Sequence, residues 1–398
     1  MKKKKRSPPN NQLALNYEIV AKPTKEFFIS MLSKDIGLIP AIIDLIDNSL
    51  DGALRLKRGD PFDGLHVDVK FDESKFSISD NCGGIPVNIA RNYAFCFGRP
   101  EEMPRTDHSM GQFGVGMKRS LFKLGNFFTI ESTTANSYFQ VEQDVGVWKR
   151  DPEWKFRFAK LEEKKAQPSS KHGTKIVVEE LHDAIKADFA LSNFNTRLSE
   201  EIEARHAESM ARGLEIKVNG TPLQSYEPTA LKSKNLKHAQ RTTEFKKRDR
   251  TPVNVNVFAG LDKSDPKAAG WYVYCNKRLI LRADQSLKTG WGEGNGRTIP
   301  KFHNQYGRFR GYVHFDSEEA DQLPWNTTKT SIDEDHPAWR NIRQQMIEAM
   351  RPVIDFLNEV KVEKESGEEE TPLNVDFACG GREPLGGGTG GARMNAIA

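Results

Sequence analysis

No apolar run in this chain is long enough to cross a bilayer as a helix, so a membrane-spanning helical protein is not expected. Cysteine is scarce. Cys82, Cys96, Cys275 and Cys379 are scattered without CxxC spacing, which points away from a zinc site and from a disulfide framework. The basic start MKKKKRSPPNNQ is not followed by the apolar core of a signal peptide, and a cytoplasmic, reducing location is the expectation. There is no internal repeat. There is also no large excess of either charge, since the net charge is only +4 over 398 residues. A sum that small does not identify a nucleic-acid binder, and the distribution of the charge says more. What is present suits a globular chain: 37% apolar residues, and length enough for two domains and a tail.

Along the chain, residues 1–15 read as a disordered basic arm. A long helical region follows, TKEFFISMLSKDIGLIPAIIDLIDNSLDGALRLKRG, with Pro40 suited to a first turn and Lys57, Arg58 and Gly59 to a helix end. LHVDVKFDESKFSISDN alternates like a hairpin, and FFTIESTT, SYFQVEQDV and GTKIVVEEL read as strands. Residues 186–212 read as a helix, and GLEIKVNGTPLQ as a hairpin about Asn219-Gly220. A second set of strands, PVNVNVFAGL, GWYVYCNKRLIL and FRGYVHFD, precedes a helix at about 336–361. Most strand pairs look like hairpins, so the expected class is α+β, with a mixed, mostly antiparallel sheet covered by helices on one face. The expected division is 16–215 for the first domain, 216–361 for the second and 362–398 for a disordered glycine-rich tail.

Three stretches carry candidate chemistry. In DLIDNSLDGA, residues 44–53, Asp44, Asn48 and Asp51 fall at i, i+4 and i+7 on one helical face. Ile43, Ile46, Leu50, Ala53 and Leu54 lie on another face, suited to packing on a sheet. A solvated polar face would ordinarily use Lys and Glu. Short carboxylates around an amide instead suit Mg²⁺ with its water shell, and a carboxylate one turn from the amide could hold an attacking water. In ISDNCGGIP, residues 78–86, Asp80 sits at a strand end before flexible Gly83 and Gly84, where a flat ligand could approach the backbone. In GQFGVGMKRS, residues 111–120, three glycines precede a helix whose first N–H groups could cradle phosphates. It lacks both the GxGxxG of a dinucleotide fold and the GKS/T ending of a P-loop.

Taken in order, Asp-x-x-x-Asn on a helix, then D-x-x-G-G, then GxxGxGxK, then a strand opening HGTKIVV, the chain resembles the GHKL superfamily across roughly residues 35–180. That superfamily covers gyrase B, heat-shock chaperones, histidine kinases and MutL. GQFGVG resembles the chaperone branch, DNSLDGA resembles MutL, and the layout with YVYCNKRLIL is most similar to MORC-type ATPases. The resemblance implies a Bergerat-fold two-layer α/β sandwich followed by a smaller ribosomal-protein-like transducer domain, and ATP with Mg²⁺ as the bound species. It implies that Asn48 coordinates Mg²⁺. It implies that Asp80 accepts from the adenine amine with Thr174 assisting through water, and that Asp51, Gly52, Gly84 and Ile85 line the base pocket. Gly111, Gln112, Phe113, Gly114, Val115, Gly116, Met117 and Lys118 would form the phosphate cradle and the hinge of a lid.

Asp44 falls where these families usually carry the Glu that acts as general base. Asp is one methylene shorter, which sets its oxygens back by roughly an ångström, and a misplacement of that size can cost ~100-fold in rate. Asp47 points about 100° away on the helix and is the poorer candidate. Two further departures are Cys82 in place of a glycine and Gly52 where Ala is commoner. In LPWNTTKTSID, residues 323–333, Lys329 resembles the transducer lysine that reaches the γ-phosphate, whereas Lys277 and Arg278 are expected on a strand turn of the same domain.

The implied action is a slow ATPase that dimerises on ATP and gates a partner. Residues 231–250 hold eight Lys/Arg against two acids, which suits phosphate-backbone contact with DNA. Residues 288–310 interleave Trp291, Tyr306 and Phe309 with arginines in a way that suits nucleic acid or a protein interface. The alternatives are a chaperone-like or scaffold ATPase acting on protein partners, and a nucleotide-gated binding module with little hydrolysis.

Overall fold

The computed structural model describes residues 23–58, 61–100, 102, 106–111, 114–225, 229–231, 239–246, 250–293, 299–366 and 382–384. The expected arm at 1–15, the lid residues Gln112 and Phe113, and Lys247 and Arg248 lie outside the described residues. Among the described residues no helix is long and apolar enough to cross a membrane.

The long helical region comprises two helices, α1 (Lys25–Lys34) and α2 (Leu38–Lys57). Thr24 caps α1 by accepting from the backbone N–H of Phe27. Gly37, in extended conformation, starts α2 afresh, and Pro40 then sits within the first turn, where its missing N–H costs nothing. α2 ends on Arg58 in the left-handed conformation, with Arg55 and Lys57 in the last turn facing its negative end.

The first sheet has the order β5-β4-β3-β6-β2-β1-β7-β8. Its strands are β1 (His66–Phe71), β2 (Phe76–Asp80), β3 (Gly125–Thr134), β4 (Ser137–Asp144), β5 (Phe158–Glu163), β6 (Gly173–Leu181), β7 (Glu215–Val218) and β8 (Thr221–Pro222). Every neighbouring pair is antiparallel except β1 with β7. Side chains from one face, including Val67, Val69, Phe76, Ile78, Phe128, Ile130, Ile176 and Val178, form a single core with α2, α3 (Gly116–Leu124) and α6 (Phe194–Ala211). This is the expected two-layer sandwich, mostly antiparallel with helices on one face. Two short helices, α4 (Val145–Arg150) and α5 (Asp183–Ala190), flank it. The helix expected over 186–212 is divided at Leu191–Asn193 between α5 and α6.

The expected boundary at 215 falls inside this sheet. The Asn219-Gly220 hairpin forms as expected, but β7 pairs in parallel with β1, about 150 residues earlier in the chain, so the first sheet runs on to Pro222. A pairing that distant leaves no local signal in the sequence.

The second sheet has the order β10-β11-β14-β12-β13. Its strands are β10 (Ala239–Phe245), β11 (Val253–Leu261), β12 (Gly270–Cys275), β13 (Arg278–Asp284) and β14 (Phe309–Asp316). Val255, Val257, Val273, Val313 and Phe315 pack against Trp339, Ile342, Met346 and Met350 of α7 (Pro337–Ser366). Two further strands, β9 (Thr229–Leu231) and β15 (Arg382–Pro384), pair with each other. The tail expected to be disordered from 362 therefore contains the last turn of α7, whose KVEKES continues in good helix formers, and one short strand.

The aromatics of residues 288–310 are a correction. Trp291 is 1% exposed, Tyr306 4% and Phe309 0%, and Tyr306 and Phe309 each contact Trp291 inside the second core. They offer no stacking surface to nucleic acid.

Candidate functional site

α2 decides the layout of the site. It lies between the first sheet and the second, and nearly every residue from Ala41 to Ala53 is buried, Asp44, Asp47, Ser49 and Asp51 included. Asn48 is the exception and is exposed. The polar face of the helix is thus not a solvated one. Buried carboxylates require partners, and each of these has them.

Asp44 is 2% exposed. Its Oδ2 accepts from Arg119 Nη2 at 2.5 Å, and its Oδ1 lies 3.4 Å from Arg278 Nη1 and 3.5 Å from Lys329 Nζ. Asp47 is 1% exposed, and its Oδ2 accepts from Lys329 Nζ at 2.7 Å and from Arg278 Nη1. Burial would raise the Asp47 carboxyl, but Arg278, Lys329 and His206 outweigh it and hold the group below the usual carboxylate range. His206, fully buried at a kink in α6, faces Asp47 with Nε2 at 3.7 Å from Oδ1. Burial pushes its imidazole down to about 4, so it is neutral at pH 7. Three cations therefore meet two carboxylates here, and one positive charge is left over.

Around the corner, Asp51 grips the start of the glycine loop: the N–H groups of Met110 and Gly111 donate to its two oxygens at 2.7 and 2.8 Å. Burial raises its pKa. Asp80, at the end of β2, accepts from Ser49 Oγ at 2.7 Å, from the Cys82 N–H at 2.9 Å and from the Thr174 N–H at 3.2 Å. Burial raises its pKa as well. A carboxylate has about four acceptor sites, so one remains for a donor in the cavity beside it. Thr174 reaches Asp80 through its backbone, and its hydroxyl meets Ser132 Oγ at 3.2 Å. Ser132 in turn accepts from the Ile85 N–H at 2.7 Å, which fixes the loop after Asp80. Ser49 and Ser132 carry no signal in the sequence motifs. Ser49 sits beside Asn48 on α2, and only the tertiary fold turns it towards Asp80.

The two departures Gly52 and Cys82 belong together. A Cβ on Gly52 would lie 2.8 Å from the Cys82 carbonyl oxygen and 3.2 Å from the Cys82 Cβ. The helix can approach the loop this closely only because residue 52 has no side chain. Gly84, with φ +71°, stands where a Cβ would come 2.2 Å from the Thr133 carbonyl oxygen.

Every expected site residue among the described ones lines a single cavity of about 1840 Å³ between the two sheets. That is larger than the roughly 300–1000 Å³ of a typical small-ligand pocket, because it continues past Lys277 and His314 to Gln240 and Asn254 on the second sheet. Asn48 opens into it. Its amide nitrogen donates to the Asp44 carbonyl at 3.0 Å, leaving the oxygen as an outward acceptor. One amide oxygen, completed by water and phosphate oxygens, is a donor set that fits Mg²⁺. Lys118 behaves differently from a solvent-facing phosphate ligand. It is 2% exposed, its ammonium donates to the carbonyls of Ala94 (2.8 Å) and Gly114, and burial lowers its pKa to about 7. In this conformation it braces the glycine loop.

The segment just before the glycine loop is also tied to the second sheet. His108 Nδ1 meets Asp316 Oδ1 at 3.1 Å, a bond that raises the histidine's pKa, and Asn276 Nδ2 donates to the Ser109 carbonyl at 3.2 Å. Lys329 stands on a tight turn, φ +51°, closed by its own N–H to the Asn326 carbonyl and by the Asn326 side chain to the Thr330 N–H, both at 2.9 Å.

A comparison with known families agrees with this geometry. The family model described as Histidine kinase-, DNA gyrase B-, and HSP90-like ATPase matches residues 36–174. That span contains α2, the Asp80 loop, the glycine loop and the start of β6, so the region that builds the site is the region similar to GHKL-type ATPase domains. No curated protein matches the chain.

Proposed function

We propose that this chain is an Mg²⁺-dependent ATPase of MORC-like layout, whose second sheet acts as a transducer and whose ATP-bound form pairs two copies as a clamp on DNA. The observation that carries the nucleotide part is the approach of Lys329, from the second sheet's last loop, to Asp44 on the helix of the matched domain. A γ-phosphate at that point meets a surplus positive charge. Asp80 would accept from the adenine amine, Asn48 would ligate Mg²⁺ and Asp44 would polarise water. When bound, Mg²⁺ would supply charge neutralisation to the phosphates.

Both oxygens of Asp44 are engaged by cations in this conformation. To act on water it must first lose Arg119 from Oδ2, or both Arg278 and Lys329 from Oδ1. Phosphate competes for those cations, so binding and activation of the base are one event. The same engagement favours a second reading, a nucleotide-gated module with little turnover. The DNA part rests on the basic residues of 231–250. Of these, Arg241 pairs with Glu348 and Arg250 with Glu319 and Asp321, while Lys246 is exposed.

The test is steady-state ATP hydrolysis by wild type, Asp44→Asn and Asp44→Glu, with and without duplex DNA, and nucleotide affinity measured in parallel. The ATPase reading expects Asp44→Asn to bind ATP and to lose turnover by about 100-fold or more. The clamp reading expects DNA to stimulate the wild type in a salt-dependent way. ATP binding without turnover in the wild type would leave the gated module, and absence of ATP binding would refute the whole reading.

A further inference from the structure

Asp47 and Arg278 are absent from the proposed chemistry, and neither lines the cavity. They are nonetheless among the most buried charged groups in the chain, at 1% and 0% exposure. Arg278 reaches α2 from the first position of β13. The turn before it is pinned. Asn276 and Lys277 both have positive φ, 47° and 67°, the backbone of a two-residue hairpin. The Asn276 side chain donates to the Ser317 carbonyl at 3.0 Å and accepts from the Ser317 N–H at 3.0 Å. Arg278 is thus delivered to one place, and that place is Asp47.

Asp47 Oδ2 then serves two cations, Arg278 and Lys329, the second at 2.7 Å. Lys329 is nearer to Asp47 than to Asp44, where its distance is 3.5 Å. We propose that Asp47 and Arg278 are positioning residues: a buried pair between the two sheets that keeps Lys329 at the phosphate end of the cavity and nearer to Asp47 than to the carboxylate of Asp44. The proposal rests on the ATPase reading above.

The physical argument is competition for acceptors. With Asp47 charged, Lys329 has a carboxylate of its own, and Asp44 is held chiefly by Arg119. If Asp47 becomes an amide, the carboxylate nearest to Lys329 is that of Asp44, and the ammonium moves towards it. The base is then quenched, and the ammonium that should meet the γ-phosphate is drawn back. Neither change touches the adenine end, where Asp80 sits, so binding of a nucleotide without a γ-phosphate is spared.

The experiment is a cycle of full-length variants, Asp47→Asn, Lys329→Met and the double variant, read by the ratio of ATP to ADP affinity and by kcat. Asp47→Asn is expected to lower kcat about 10- to 100-fold while ADP affinity stays within about threefold of wild type. Because Asp47 acts through Lys329, the double variant is expected to lose no more than Lys329→Met alone. Arg278→Lys keeps the charge at that position and is expected to retain more kcat than Arg278→Met. Additive losses in the double variant, or equal losses of ADP and ATP affinity, would overturn the positioning role while leaving the ATPase reading intact. A wild type that fails to bind ATP would overturn both. If Asp47→Asn fails to fold, the Arg278→Lys and Arg278→Met pair carries the same test, and no difference between those two in the ATP to ADP ratio or in kcat would count against the proposal.

Discussion

Replacing Asp80 by Asn is close to isosteric, and the surrounding donors show what it would change. The Cys82 and Thr174 N–H groups both point at Oδ1, at 2.9 and 3.2 Å, and an amide oxygen in that place can accept from both. Ser49 Oγ donates to Oδ2 at 2.7 Å, and a hydroxyl can turn to accept from an amide NH₂ instead. The fold therefore keeps its hydrogen bonds and loses only their charge assistance, about 1 kcal/mol. The ligand meets a larger change. A hydrogen bond to a charged acceptor contributes about 1.5–3 kcal/mol, and a donor would now face the adenine amine. ATP affinity is expected to fall by roughly 10- to 150-fold. Guanine presents a carbonyl at the same ring position and can accept from the new amide, so GTP affinity should not fall. Calorimetric titration with both nucleotides, with the unfolding midpoint of the free protein as control, measures this. Equal losses for ATP and GTP, or an ATP affinity within about threefold of wild type at unchanged stability, would refute the role of Asp80 as the base-recognising acceptor.

Two other consequences can be checked directly. His206 is neutral in the folded protein because burial lowers its pKa from 6.5 to about 4, against Asp47, which raises it, and Arg278, Arg205 and Lys329, which lower it further. The unfolded chain takes up that proton below 6.5, so stability is full above pH 6.5 and falls as the pH drops towards 4, by about 3 kcal/mol. Urea midpoints from pH 7 to 4 should show this loss in the wild type, and it should shrink in His206→Gln. Gly52→Ala would ordinarily gain about 1 kcal/mol of helix propensity, yet its Cβ would press on the Cys82 carbonyl at 2.8 Å. Overpacking costs about 1–3 kcal/mol, so a net loss of thermal stability is expected, with partial recovery on adding Cys82→Gly.

Much of the matched domain is legible in the amino-acid sequence. Its strands announce themselves by alternation, and Asp44, Asn48, Asp51 and Asp80 stand in short motifs whose spacing has a direct chemical meaning. Such motifs are local. A helix of known pitch brings i and i+4 together whatever surrounds it. The same local logic undervalues Asp47. Helical pitch turns it away from Asp44 and Asn48, but direction alone does not say what it meets.

It meets Arg278 and Lys329, more than 200 residues further along. Charge pairing between such distant segments leaves no periodicity and no spacing for a sequence to display. The same holds for β7 joining β1, for Ser49 turning to Asp80 and for the closeness of Gly52 to Cys82. It holds in the opposite sense for Trp291, Tyr306 and Phe309, which by composition suit a nucleic-acid surface and by packing are core. The secondary elements of the first domain, and the residue types able to hold a nucleotide, depend on neighbours within a few residues and so are written locally in the chain. Which buried charges meet is a property of the tertiary fold alone. Burial makes an unpaired charge too costly to keep, and the partner is supplied by whichever strand the fold brings past it.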